Sequence, residues 1–132
     1  MSKKDLFIQK ARKVSKQLIK IKSPIHKSVK ELGFTTHKRS NAMNCSKIWI
    51  NKKLGIVIKP KPFLGDSYLS SEYIVPRHIF QKDYEEFWIQ PLVNRKDSVK
   101  AYRFFRKKHP NWIDLHAGNI GYWAGRPAIF DW

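Results

Sequence analysis

The sequence is poor in the residues that crosslink or anchor small domains. Cys45 is the only cysteine, so an internal disulfide and a structural zinc site built from several cysteines are excluded. No apolar run approaches the roughly 18 residues that suggest a membrane span, and no signal-peptide pattern follows Met1. These absences favour a reducing, intracellular setting.

Acidic residues are scarce as well. The chain has 27 Lys and Arg residues against 10 Asp and Glu residues, a formal net charge of +17. Such an excess promotes association with polyanions: nucleic acid, nucleotides, an acidic protein or an anionic surface. A solvated, lysine-rich surface without a partner is the alternative interpretation. The 132 residues, of which 42% are hydrophobic, can form a compact core.

Residues 1–33 predict a basic helical extension of two helices. An apolar stripe with steps of four and three residues indicates an amphipathic first helix; it consists of Phe7, Ala11, Val14, Leu18 and Ile21. This stripe either packs on the domain or lies on a partner surface. The residues that we expect to contact nucleic acid or an acidic partner are Lys10, Arg12, Lys13, Lys16, Lys20, Lys38 and Arg39.

Residues 34–132 change to a strand-rich texture. The runs "KIWIN" and "GIVIKP" flank a turn-like "KKLG", so Lys47–Lys59 predicts a hairpin. The stretch "SVKAYRFFRKKH" after Asp97 predicts one helix. Further strands are predicted at 34–36, 73–75, 87–92 and in the closing runs "IGYW" and "PAIFDW". This order predicts an α+β fold with an antiparallel sheet, N-terminal helices, one later helix, a polar loop and a short C-terminal hairpin.

Three polar residues near the C-terminus have the chemistry of phosphoryl transfer. That reaction needs a carboxylate to orient or deprotonate the acceptor hydroxyl, and oxygen ligands that hold magnesium on the phosphates. Asp114 and Asn119 are five residues apart on a loop, and Asp131 ends the following hairpin. Side-chain hydrogen bonds that merely close a turn would explain the same residues.

The segments "DLHAGNIG" and "AIFDW" resemble the catalytic loop and metal-binding segment of the protein-kinase-like fold, closest to its antibiotic- and small-molecule-kinase branches. The resemblance implies ATP and Mg²⁺ as cofactors, with Asp114 as catalytic base and His116 near the transferred phosphate. It implies Asn119 and Asp131 as metal ligands. "GIVIKP" resembles the strand that bears the nucleotide-binding lysine, here Lys59.

The same resemblance extends to the strand and hinge that contact adenine. "FWIQPLV" resembles that segment, with Gln90 and Val93 bounding the hinge. The similarity covers about residues 34–132 and therefore predicts a minimal kinase-like domain. By analogy, the small size and lysine-rich composition suggest a bacteriophage or mobile-element accessory protein in a host cytoplasm.

The chain also departs from the kinase pattern. Where the glycine-rich phosphate loop is expected, "THKRSNAMN" contains no glycine, and glycine normally lets backbone amides approach phosphates. The sequence given stops at Trp132, so we expect most of the acceptor-binding lobe to be missing, and the apolar surface left by its absence favours a homodimer.

Two hypotheses follow from the kinase-like motifs and the departures from the kinase pattern. In the first, the chain binds a magnesium nucleotide and transfers phosphate to a hydroxyl acceptor. In the second, it is an inactive pseudokinase-like scaffold whose basic surface binds nucleic acid or an acidic host protein. A fold resemblance alone does not choose between them.

Overall fold

The structure is a computed structural model and describes residues 2–38, 47–60, 73–94, 96–111 and 120–130. It contains three described helices and seven described strands. The helices are α1 (Lys3–Lys20), α2 (Ile25–Glu31) and α3 (Ser98–Lys108). The strands are β1 (Thr35–Lys38), β2 (Lys47–Asn51), β3 (Ile56–Pro60), β4 (His78–Lys82), β5 (Glu85–Pro91), β6 (Ile120–Trp123) and β7 (Arg126–Ile129). The predicted α+β class is confirmed.

The chain divides into two compact units. Unit 1 comprises Met1–Phe63 and Pro76–Leu92, and unit 2 comprises Leu64–Val75 and Val93–Trp132. Unit 1 holds α1, α2 and a five-stranded sheet, whereas unit 2 holds α3 and a two-stranded hairpin.

The sheet of unit 1 has the strand order β1-β2-β3-β5-β4, and every neighbouring pair is antiparallel. Strand β3 lies at the centre of this sheet. Its run "IVIKP" is buried along almost its whole length. Residues with Val and Ile side chains fit such a pleated, enclosed position. The predicted hairpin of "KIWIN" and "GIVIKP" is confirmed as β2 and β3.

Helix α1 packs on one face of this sheet. Its buried side chains are Phe7, Ala11, Val14, Ser15 and Leu18. Four of them belong to the predicted stripe, whereas Ile21, the last residue of that stripe, is the C-cap of the helix and only half-buried. Ser2 caps the helix, since its Oγ accepts a hydrogen bond from the amide of Asp5 at 3.1 Å. At the other end, Lys82 Nζ donates to the carbonyl of Ile21 at 2.6 Å, which fixes the chain as it leaves α1.

The structure departs from the predicted strands in two places. The strand predicted at Tyr73–Val75 is wrong, because Ile74 makes only an isolated bridge to Ile129. Strand β4 was not predicted. A two-residue turn joins it to β5, with Asp83 at φ 53° and Tyr84 at φ 64°. Such turns usually contain Asn-Gly or Asp-Gly, and "DY" does not carry that signal.

Unit 2 is built on α3 and the hairpin of β6 and β7. Its core contains Tyr73, Ala101, Phe105, Ile120 and Ile129. The Tyr73 ring contacts Phe105 edge to face, with ring centroids 5.2 Å apart. Gly121 is required here, because a Cβ at that position would lie 2.5 Å from the carbonyl oxygen of Asn94.

None of the described helices is long and apolar enough to cross a bilayer.

Candidate functional site

Three buried side chains with polar atoms lie on one face of the unit 1 sheet. Lys59 on β3 is directly opposite Trp88 on β5, and Gln90 follows two residues later along β5. Opposed residues of an antiparallel pair share a face, and so do residues two apart on one strand. The exposed fractions are only 2% for Lys59, 5% for Trp88 and 0% for Gln90. We call these three residues the polar cluster.

Helix α1 packs on the opposite face. The Oγ atom of Ser15 on α1 lies 3.1 Å from Nε2 of His78 on β4. His78 is opposite Ile89, the residue between Trp88 and Gln90, so its side chain lies on the other side of the sheet from the polar cluster. The cluster is therefore separate from the contact between α1 and the sheet.

Gln90 is the most unusual member of the polar cluster. Neither its Nε2 nor its Oε1 atom has a hydrogen-bond partner within the described residues, although both atoms are buried. Burying such an amide without partners costs about 1–3 kcal/mol. A buried polar group left unsatisfied calls for a specific explanation, and a ligand with a matching donor and acceptor would supply one.

Trp88 adds a further donor and a flat aromatic surface. Its Nε1 atom is also buried without a hydrogen-bond partner in the ranges described above. The guanidinium carbon of Arg77 lies 4.5 Å from the Trp88 ring centroid, and Lys59 Nζ lies 5.9 Å from it. Two cations thus approach one indole ring, which makes this face electropositive.

Other buried polar residues of unit 1 have clear structural roles. The side-chain amide of Asn51 donates to the carbonyl of Leu32 at 3.1 Å and accepts from the amide of Leu54 at 3.0 Å. Lys82 is buried too, and its ammonium group donates to a backbone carbonyl. These residues join loops to the sheet, and their polar groups are satisfied inside the protein.

The predicted nucleotide-binding residues fall in both units. The structure brings Lys59 and Gln90 together on adjacent strands of unit 1. Val93 belongs to unit 2, where it is 4% exposed and packs beside Gly121. Their assignment to a nucleotide stays a prediction.

The predicted catalytic and metal-binding residues lie outside the described residues. These are Asp114, His116, Asn119 and Asp131, so their roles stay predictions. In the part of the chain that is described, no group of three or more His, Cys, Asp or Glu side chains could hold a metal ion.

The cations that were predicted to bind a partner differ in their exposure and hydrogen bonding. Arg12, Lys13, Lys16 and Lys20 are exposed on α1. Lys10 is exposed as well, but its Nζ donates to the carbonyl of Leu54 at 2.9 Å. Lys38 ends β1, and Arg39 lies outside the described residues.

From the sequence, Trp88 was not connected with Lys59. The alternation in "FWIQ" places Trp88 and Gln90 on one face, but only the register of β5 against β3 brings Lys59 to the same place. Arg77 was also missed, because it precedes the unpredicted strand β4.

Comparisons of the chain with protein families, with curated proteins and with solved structures found no match.

Proposed function

We propose that the chain binds a magnesium nucleotide in a kinase-like manner, with Lys59 on the phosphates, and transfers phosphate to a hydroxyl acceptor. The observation that carries this proposal is the burial of Lys59 at the centre of the sheet, with 2% of its surface exposed. In protein kinases the nucleotide-binding lysine lies on the third strand of the sheet, and Lys59 lies on β3.

The burial of Lys59 argues against an ordinary surface lysine. Lysine is almost never fully buried unless its charge is paired, and two nearby lysines behave as expected, since Lys52 and Lys53 are exposed in the turn between β2 and β3. A charge placed inside a sheet is costly. An anionic phosphate would add to the interactions that Lys59 already makes within the protein.

The neighbours of Lys59 support a ligand rather than a purely structural role. Gln90 offers an acceptor and a donor, and Trp88 offers a donor, none of them satisfied by the described residues. The resemblance assigns the remaining chemistry to residues beyond the described ranges. Asp114 would accept the proton of the hydroxyl, and Asn119 and Asp131 would hold the magnesium ion, which neutralises charge on the phosphates.

Nucleotide binding is tested by the shift in melting temperature that millimolar MgATP produces. A ligand at roughly 100 times its Kd stabilises the folded state by about 2.7 kcal/mol, so the wild type should melt several degrees higher. We expect Lys59→Met to lose most of this shift. Lys52→Met, an exposed lysine beside the preceding strand, is the matched control and should keep it.

The catalytic part is tested separately with Asp131→Ala and Asp114→Ala. We expect Asp131→Ala to abolish the magnesium-dependent part of the shift, and Glu85→Ala, an exposed acid on β5, to leave it unchanged. Asp114→Ala should retain the shift but lose phosphate transfer to a hydroxyl acceptor. No shift of the wild type in MgATP would reject the proposal and leave the inactive scaffold.

A further inference from the structure

Helix α1 carries a row of cations on the side turned away from its buried stripe. Arg12, Lys13, Lys16 and Lys20 are all exposed. At 3.6 residues per turn they fall within an arc of about 100°, opposite the buried residues. We call these four residues the basic face. The only acid in α1 is Asp5, in its first turn, so no acidic side chain of the helix lies among them.

The structure distinguishes these four cations from neighbouring ones that have other roles. Lys10 donates to the carbonyl of Leu54, and Lys82 is buried against the carbonyl of Ile21. Within the described residues, none of the four side chains of the basic face donates a hydrogen bond to another residue. Their charges are therefore presented to solvent.

We propose that the basic face docks on the phosphate backbone of double-stranded DNA, independently of sequence. Duplex DNA carries one negative charge per about 1.7 Å of its axis. The rise from Arg12 to Lys20 is about 12 Å, so the four cations span several phosphates. Helix α1 is capped by Ser2 and held on the sheet by its apolar stripe, and this rigid presentation lowers the entropy lost on binding.

The same features disfavour the other anionic surfaces. A helix that lies on a membrane needs its apolar face for the lipid, but the stripe of α1 is buried within unit 1. Single-strand binders combine charge with aromatic stacking platforms, and the one aromatic residue of α1, Phe7, is 6% exposed. Three of the four cations are lysines, which are depleted in protein–protein interfaces.

The test compares two variants that each lower the net charge by four. The first carries Arg12→Gln, Lys13→Gln, Lys16→Gln and Lys20→Gln. The matched control carries Lys27→Gln, Lys30→Gln, Lys52→Gln and Lys53→Gln, at exposed positions on α2 and in the turn between β2 and β3. Fluorescence anisotropy with a labelled mixed-sequence DNA duplex gives the affinity of the full chain over a range of salt concentrations.

We expect the wild type to bind the duplex at low salt, with an affinity that falls steeply as salt is added. Each phosphate contact contributes about −0.9 to the slope of log K against log salt concentration. The basic-face variant should therefore lose about 3 to 4 from the magnitude of that slope. The control variant should change it by less than about 1. Circular dichroism should show that both variants remain folded.

Several outcomes would overturn the proposal. Equal losses in the two variants would mean that the net charge, rather than the basic face, determines binding. Absence of wild-type binding at low salt would exclude DNA. Tighter binding of a single-stranded oligonucleotide, a duplex RNA or a polyglutamate chain, lost in the basic-face variant, would assign the face to that partner instead. None of these readings depends on nucleotide binding at Lys59.

Discussion

The two units of the molecule differ in the polar side chains that they bury. All the buried polar or charged side chains among the described residues belong to unit 1: Ser15, Ser28, Asn51, Lys59, Lys82 and Gln90. The buried side chains described in unit 2 are apolar or aromatic, such as Phe105, Ile120 and Phe130. An unsatisfied buried polar group lowers the free energy of unfolding. Such a group, the amide of Gln90, lies at the centre of unit 1, and the described core of unit 2 has no buried polar residue of this kind.

Within unit 1, the buried polar side chains also differ in whether their hydrogen bonds are satisfied. In unit 1, Asn51 and Lys82 bond to backbone groups and so secure loops against the sheet. Gln90 has no such bond to any described residue. The described core of unit 2 is apolar and aromatic, so the burial of apolar surface accounts for it. The buried amide of Gln90 therefore lowers the stability of the unit 1 sheet. Positions that lower stability in this way are often functional.

The largest expected effect tests the apolar core of unit 2. Phe105 is 1% exposed and contacts the ring of Tyr73, so Phe105→Ala should lower the free energy of unfolding by about 3–5 kcal/mol. Urea unfolding followed by circular dichroism measures this loss. Tyr102→Ala on the same helix is the control, since Tyr102 is 37% exposed. A loss from Phe105→Ala no greater than that of the control would contradict the core described for unit 2.

The second prediction sharpens the contrast between satisfied and unsatisfied amides inside unit 1. Gln90→Met keeps the length of the side chain and removes the unpartnered amide, so it should raise the free energy of unfolding by about 1 kcal/mol. Asn51→Leu breaks the bonds to Leu32 and Leu54 and should lower it by about 1–3 kcal/mol. Denaturant titrations of the two variants, without nucleotide, measure both changes.

The two variants must differ in sign for the comparison to hold. A destabilisation from Gln90→Met as large as that from Asn51→Leu would show that the Gln90 amide is already satisfied in solution. The same variant also bears on the proposed function, because it should bind MgATP less tightly than the wild type while being more stable without it. That opposite pair of effects is not expected from a residue that only packs.

The sequence predicted the elements whose signal is local. The stripe of α1 has steps of three and four residues because an α-helix buries one face, and the runs "KIWIN" and "GIVIKP" alternate or remain apolar as central strands do. Strand β4 was missed because "HIFQK" has only two large apolar residues and its turn lacks glycine. Residues 73–75 look like a strand because Tyr, Ile and Val favour strands, yet within unit 2 they form only one isolated bridge, from Ile74 to Ile129.

The candidate site was predictable only in part, for a physical reason. Lys59 and Gln90 were singled out through a resemblance to known strands, but the sequence cannot show that both are buried or that they share a face with Trp88. Burial and pairing depend on the register of β3 against β5, which contacts between distant residues determine. The assignments of Asp114, Asn119 and Asp131 remain predictions, since these residues lie outside the described ranges.

The smallest expected effect concerns the contact between α1 and the sheet, where a polar group of unit 1 is satisfied. Burial, followed by the positive charge of Arg12, lowers the pKa of His78 below its ordinary value of 6.5. The hydroxyl of Ser15 can donate to the carbonyl of Arg12 at 2.8 Å and accept from Nε2 of His78. A neutral imidazole that carries its proton on Nε2 therefore satisfies both bonds.

This lowered pKa makes the stability of the fold depend on pH in one direction. Because unfolded His78 binds a proton more readily than folded His78, stability is complete above about pH 6.5 and is lost as the pH falls through the lowered pKa of the folded state. His78→Asn should reduce this slope between about pH 7 and pH 5, measured by urea unfolding. His26→Asn, at an exposed position on α2, should leave it unchanged. Arg12→Gln should raise the pKa of His78 and reduce the slope in part. If neither His78→Asn nor Arg12→Gln changed the slope, the protonation of His78 would not be the cause of the pH dependence.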